Sequence, residues 1–228
     1  MGRRFQGPAG IGVRLPFRDR AEAGMLLAER VRAMRPKNPL VLALPRGGVA
    51  VAAEVARALD APLDILATRK VGCPGRPELG VGAVAEGGEP VYDPDLLGLI
   101  GLDPDDLANT VARERREIIR QVDLYRDGRP SPDPAGHDVV LVDDGLATGV
   151  TARAALRALR DMRPGPRRLI LAVPVAAPDS LGALGGEADE IVALATPVDF
   201  HAVALWYERF DQVEDAEVLA LLRGSRPT

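Results

Sequence analysis

Cysteine is almost absent from this chain: Cys73 is the single one, which excludes a disulfide within the chain and a cysteine-rich zinc site. Histidine is nearly as scarce. His137 and His201 are far apart and lack metal-ligand spacing, so neither suggests zinc, and no Ser-His-Asp or Cys-His arrangement offers a protein nucleophile. An excess of basic residues is missing too. With 29 Lys and Arg against 33 Asp and Glu, net charge −4 and pI near 5.4, the surface is wrong for general nucleic-acid binding. No run approaches the roughly 18 consecutive apolar residues of a membrane span, and the start of the chain has no signal-peptide core. The expectation is a soluble, cytoplasmic protein with no nucleic-acid or membrane partner. Its 228 residues, 46% hydrophobic, suit one sizeable α/β domain with a modest appendage.

What is present is concentrated in residues 139–151, VVLVDDGLATGVT. An apolar run ending in Asp143 and Asp144 delivers two carboxylates to the carboxyl edge of a parallel sheet, where open α/β folds place their ligands. Gly145 and Gly149 permit a tight loop. The amides from Leu146 through Ala147, Thr148 and Gly149 to Val150 can converge at the positive end of the next helix, and Thr148 and Thr151 add hydroxyls. Carboxylates for hydroxyls and amides for a phosphate make a sugar-phosphate site. The plainer alternative is a strand whose aspartates end it and cap a helix. One aspartate would serve for that, and a second adds like-charge repulsion. A response-regulator acidic pocket also pairs aspartates, but needs no Thr-Gly-x-Thr loop.

These thirteen residues resemble the PRPP-binding signature of the type I phosphoribosyltransferases: a hydrophobic strand, two acids, a short loop, Thr-Gly and a further Thr. DDGLATG is most similar to adenine-type members. Members acting on 6-oxopurines usually carry Asp where this chain has Ala147, which counts against hypoxanthine or guanine. The resemblance implies a parallel-sheet, Rossmann-like α/β core with a small hood. It also implies Mg²⁺-PRPP as donor, a nitrogenous acceptor such as a nucleobase, pyrophosphate as product, and a homodimer. Asp143 and Asp144 would hold the ribose hydroxyls near Mg²⁺, and residues 145–151 the 5-phosphate. Catalysis would fall to Asp143, Asp144 and Lys70. Two other readings stay open: a PRPP- or nucleotide-sensing regulator without turnover, and a hydrolase or phosphorylase on the same site.

Along the chain, residues 1–38 form an N-terminal segment with a helix over about Asp19 to Met34, one candidate for part of the hood. A core spans 39–196. Pro39 to Leu44 reads as a strand, and PRGG at 45–48 turns into a helix reaching about Leu59. By the resemblance, Arg46, Gly47 and Gly48 bind pyrophosphate, although a Gly-Gly turn often has purely steric reasons. Leu63 to Thr68 reads as one strand whose Asp64 faces out or caps the preceding connection. Arg69 and Lys70 end it, where the resemblance implies pyrophosphate contacts and residue composition alone implies solvated cations. VGCPGRPELGVG then reads as a flexible loop or loose hairpin over about 71–84, carrying Arg76 and Glu78, before Ala83 to Ala85 rejoins the sheet. A long helix follows Asp103-Pro104, with Leu107, Val111, Ile118, Val122 and Tyr125 on one face and Arg113, Arg116 and Arg120 opposite. Helices over 149–162 and from Pro178, with strands near 169–173 and 190–194, complete an alternating pattern. Residues 197–228 are a second candidate hood. There Phe200, Trp206 and Tyr207 are candidate base platforms, the competing reading being core packing or a dimer contact.

Overall fold

The computed structural model describes residues 3–6 and 12–224; the remainder of the expected terminal segments, 1, 2, 7–11 and 225–228, lies outside the described residues. In chain order the elements are β1 (Arg3–Gln6), β2 (Gly12–Leu15), α1 (Arg20–Ala33), β3 (Pro39–Ala43), α2 (Gly47–Leu59), β4 (Leu63–Ile65), β5 (Thr68–Cys73), β6 (Arg76–Ala85), β7 (Val91–Tyr92) and α3 (Pro94–Ile100). A 3₁₀ turn at Pro104–Leu107 leads into α4 (Ala108–Arg126), then β8 (Asp138–Val142), α5 (Val150–Asp161), β9 (Arg168–Val175), α6 (Pro178–Ala183) and β10 (Glu190–Ala195). A second 3₁₀ turn at Val203–Trp206 precedes α7 (Asp215–Gly224).

The core is a five-stranded parallel sheet in the order β10-β9-β8-β3-β4. Its strands are apolar at nearly every position because both faces are covered. Val41, Ala43, Val140, Val142, Ile170 and Ala172 face the cluster shared with α1 and α2, while Leu40, Leu42, Val139, Leu141, Leu169 and Leu171 face α5. From β3 the chain goes by α2 to β4 on one side, and β8 lies on the other. The order therefore reverses between β3 and β8, and a crevice opens beyond their carboxyl ends. PRGG leaves one of those ends and Asp143-Asp144 leaves the other.

Expectations are corrected next to β4. Leu63 to Thr68 is not one strand: β4 ends at Ile65, and β5 begins at Thr68 in a separate antiparallel sheet of order β5-β6-β7. Ala83 to Ala85 accordingly joins this small sheet, and packs with Val91 on Ala154 and Ala158 of α5. Of the two readings of the 71–84 segment, flexible loop or loose hairpin, it is the hairpin, turning at Pro74-Gly75, with Val71, Val81 and Val84 buried at its base and Arg76 and Glu78 exposed on its outer part. Asp64 is buried instead of outward-facing. Its carboxylate accepts from Arg126 Nε at 3.2 Å, and the same guanidinium bridges to Glu86 and to the Ile65 carbonyl at 2.8 Å. Charges can be buried here because these partners replace the lost water.

Segments near the two ends of the chain meet. The Phe17 amide donates to the Trp206 carbonyl at 2.8 Å and the Arg209 amide to the Arg18 carbonyl at 3.0 Å, so residues 17–18 and 206–209 run side by side.

Candidate functional site

The strand β8 stops short of Asp143 because the chain there must turn, and Gly149 makes the second half of the turn possible. Its φ of 70° lies in the left-handed region that side chains rarely adopt. Gly149 then serves as N-cap of α5 without any side-chain hydrogen bond to the first turn. The leading amides of a helix have no intrahelical acceptor, so those of α5 are left directed at the loop with the partial positive charge of the helix end. Ala147 and Thr148 are exposed there, and Thr151 is half-buried. Leu146 departs from its expected role. Its amide donates to the Val175 carbonyl at 2.9 Å and its side chain is in the core, so it anchors the loop to the β9 end and offers no free donor.

The PRGG turn is pressed against the acids. A Cβ on Gly47 would lie 1.9 Å from Asp144 Oδ2, and one on Gly48 2.9 Å from the Val142 carbonyl. A side chain at 47 would displace the Asp144 carboxylate from its place, and one at 48 would press on the backbone of β8 itself. The Pro45–Arg46 peptide is cis. Arg46 itself extends toward α7, with Nη1 3.7 Å from Asp215 Oδ1 and 3.9 Å from Glu214 Oε2.

The two aspartates have different surroundings. Asp144 Oδ2 accepts from Arg20 Nε at 2.8 Å, and the Arg20 guanidinium lies 3.8 Å from the centre of the Phe210 ring. Asp143 accepts only from the Asp144 amide, at 2.8 Å, among the described hydrogen bonds. Burial first, and the neighbouring Asp144 carboxylate second, push Asp143 well above the usual carboxylate range against the pull of Arg20 and Lys70. Burial also raises Asp144, and Arg20 draws it back.

A cavity of about 420 Å³ opens between these pieces, lined by Leu44 and Pro45 from the end of β3, Thr68, Arg69 and Lys70 from β5, Asp143 and Thr151 from either side of the loop, and Arg113 and Glu114 from α4. Gly72 and Pro77 make the hairpin one wall of it. Four of the expected site residues, Arg69, Lys70, Asp143 and Thr151, thus meet at one place. Arg46, Gly47, Gly48 and Asp144 are not among the residues that line it, and Arg76 and Glu78 lie out on the hairpin. Arg113 and Glu114 escaped the sequence reading of the site, although a carboxylate between Val111 and Ile118 on the buried stripe of the helix was a usable signal. Arg20 left none, since its partner is 124 residues away.

The three candidate base platforms separate. Phe200 and Trp206 are half-buried and stack with centroids 6.3 Å apart. The 3₁₀ turn between them sits on the acid loop, where a Cβ on Gly145 would come 2.6 Å from Val203 Cγ1. Tyr207 does not present its ring to a ligand. It is 6% exposed, packed between Phe17 and Phe210, and its hydroxyl donates to the Asp144 carbonyl at 2.6 Å. It is a strut that ties the C-terminal segment to the acidic motif.

Among the described residues, no group of three or more His, Cys, Asp or Glu side chains could hold a metal ion, and no helix is long and apolar enough to cross a membrane. Of the two acids lining the cavity, Glu114 is already bonded to Arg69 and Arg113, which leaves Asp143. That donor set fits a divalent ion carried in on phosphate oxygens and touched by one carboxylate.

Comparisons with known proteins show the family. The family model described as "Phosphoribosyl transferase domain" matches residues 20–184. The chain is 43% identical over 206 residues to "Putative phosphoribosyl transferase Rv0571c" of Mycobacterium tuberculosis, covering 90% of this chain and 46% of that protein. It therefore spans a little under half the length of the curated relatives it matches. Among solved structures, TT1426 from Thermus thermophilus is similar with a TM-score of 0.78 and 46% identity, covering 93% of this chain and 100% of that one. A hypothetical protein from Neisseria gonorrhoeae, solved with bound ppGpp, has a TM-score of 0.51 at 17% identity, covering 91% of this chain and 93% of that one, and shares the fold alone.

Proposed function

The chain belongs to the phosphoribosyl transferase domain family, and on that premise we propose that it transfers the ribose 5-phosphate group of Mg²⁺-PRPP to a nitrogenous acceptor, a nucleobase of the adenine type or a related amine, with release of pyrophosphate. The observation that carries this reading is the meeting of Asp143, Thr151, Arg69 and Lys70 around one cavity of about 420 Å³.

The 5-phosphate takes the uncapped amides of the α5 first turn and the hydroxyls of Thr148 and Thr151. Asp143 accepts from the ribose hydroxyls, while Asp144, held by Arg20, fixes the loop and the PRGG turn against each other. Lys70 and Arg69 face the diphosphate. As the bond at the anomeric carbon lengthens, positive charge grows on the sugar next to Asp143 and negative charge on the departing diphosphate next to the cations, so both are stabilised by groups already in position. Magnesium, when bound, supplies further neutralisation of the leaving group, with Asp143 the residue that would hold it. The hairpin wall at Gly72 and Pro77 limits water near the reacting carbon. Phe200 and Trp206, above the acid loop, are the side chains for stacking on the acceptor.

The test is pyrophosphate release from Mg²⁺-PRPP with a panel of purines, pyrimidines and amines. Release that depends on one acceptor class is expected. Tight PRPP binding with no release under any acceptor would replace transfer by ligand sensing, and absence of both would end the reading.

A further inference from the structure

The helix α4 contributes an arrangement that the strand ends do not explain. Glu114 is 7% exposed, and each of its oxygens is occupied by a guanidinium: Oε2 by Arg69 Nε at 3.2 Å, Oε1 by Arg113 Nε at 3.1 Å and Nη2 at 3.0 Å. Both arginines line the same cavity as Lys70 and Asp143, and both remain substantially exposed, 41% and 58% at their side chains. Arg69 spends only Nε on Glu114, so both of its terminal nitrogens are without a protein partner among the described residues. Arg113 keeps Nη1 in the same condition. A buried carboxylate bonded to Arg69 Nε and to Arg113 Nε and Nη2 holds both guanidiniums by their inner edges and leaves their outer edges for a second anion. Arg46 makes no such contribution, since it lines no part of this cavity and faces Asp215 and Glu214.

Resting on the reading above, we propose that Glu114 is a positioning residue that brackets Arg69 and Arg113 into a paired-guanidinium site for the diphosphate, and that Arg113 takes the place in the cation set expected of Arg46. Diphosphate then meets three cations from two directions, Arg69 and Lys70 from β5 and Arg113 from α4. The bare alternative is that the Arg69-Glu114-Arg113 cluster only fastens α4 to the hairpin.

Isothermal titration of the whole chain with magnesium pyrophosphate and, separately, ribose 5-phosphate distinguishes these. Arg113→Gln weakens pyrophosphate by about 10-fold or more, the loss of charge-assisted hydrogen bonds, and leaves ribose 5-phosphate within about 2-fold. Glu114→Gln shows the same split, Glu114→Asp recovers part of the affinity, and Arg46→Gln costs less than Arg113→Gln. Unchanged pyrophosphate affinity in Arg113→Gln overturns the proposal while leaving the PRPP reading intact. So does equal loss of both ligands in Glu114→Gln, or a larger loss in Arg46→Gln. A wild-type chain that binds neither ligand overturns both readings together.

Discussion

Asp143 is where the interests of folding and of binding conflict most clearly. Its carboxyl is pushed up by burial and by Asp144. As pH rises past the ordinary value of 3.8, the unfolded chain gives up this proton first while the folded protein retains it, so stability falls between 3.8 and the raised value. Asp143→Asn removes that cost. We expect its melting temperature at pH 7 to rise by about 2–4 °C, the shift that ~1 kcal/mol gives in a domain of this size, while affinity for PRPP drops about 10-fold or more. Calorimetry paired with PRPP titration checks both halves. A variant that melts lower and binds as well would show that the side chain is structural. Asp144 differs although it is the next residue, because Arg20 is there to receive its charge.

At the scale of elements, α1 decides where Arg20 stands. Asp19 caps this helix, accepting from the Glu22 amide at 2.9 Å, and also pairs with Arg18 and Arg209. The capping bond from the Glu22 backbone, together with Arg209 and Arg18, outweighs burial and lowers its carboxyl to about 2. The stabilisation it supplies is complete above 3.8 and is lost as pH falls toward about 2. Asp19→Ala should cost about 1 kcal/mol at neutral pH, and proportionally less in acid, by urea unfolding at several pH values. An equal cost at pH 2 and pH 7 would locate the effect outside the ionised cap. The hairpin β5–β6 teaches a different lesson about elements. Four glycines and two prolines in the 71–82 stretch describe a loop by composition, yet antiparallel pairing absorbs them with register shifts at Val71/Gly72 and Gly72/Cys73.

For the whole molecule, Arg126 joins parts that sequence order keeps apart. It links Asp64 in β4, Glu86 after β6 and its own helix α4, at 3% side-chain exposure. The bridge is one tie between β4 of the parallel sheet and the segment that follows β6 of the small antiparallel sheet. Arg126→Met leaves the Asp64 carboxylate buried and the Glu86 carboxylate half-buried without their shared cation, so a loss of about 3 kcal/mol is expected. Adding Asp64→Asn and Glu86→Gln should return part of it, measured by denaturant unfolding. A change under ~1 kcal/mol would mean that water reaches the acids once the arginine is gone.

The sequence by itself determined the elements whose signals are local. Most apolar runs long enough for strands and the helical spacing of α4 and α5 are short-range signals and stand where expected, whereas the run Leu63 to Thr68 divides between two sheets and Pro104 opens a 3₁₀ turn ahead of α4. The acid pair followed by Thr-Gly-x-Thr was legible for the same reason, being one strand, one turn and one helix start in thirteen residues. Partnership was not legible. Arg20 with Asp144, Arg126 with Asp64, and Glu114 with Arg69 are separated by 124, 62 and 45 residues, and no local pattern distinguishes a cation that will be paired from one that will face water. Only the reversal of strand order between β3 and β8, and the packing of α4 on the hairpin, decided which charges share the cavity. Backbone preference acts over a few residues, whereas charge pairing is settled by which surfaces the folded layers bring within a few ångströms of each other.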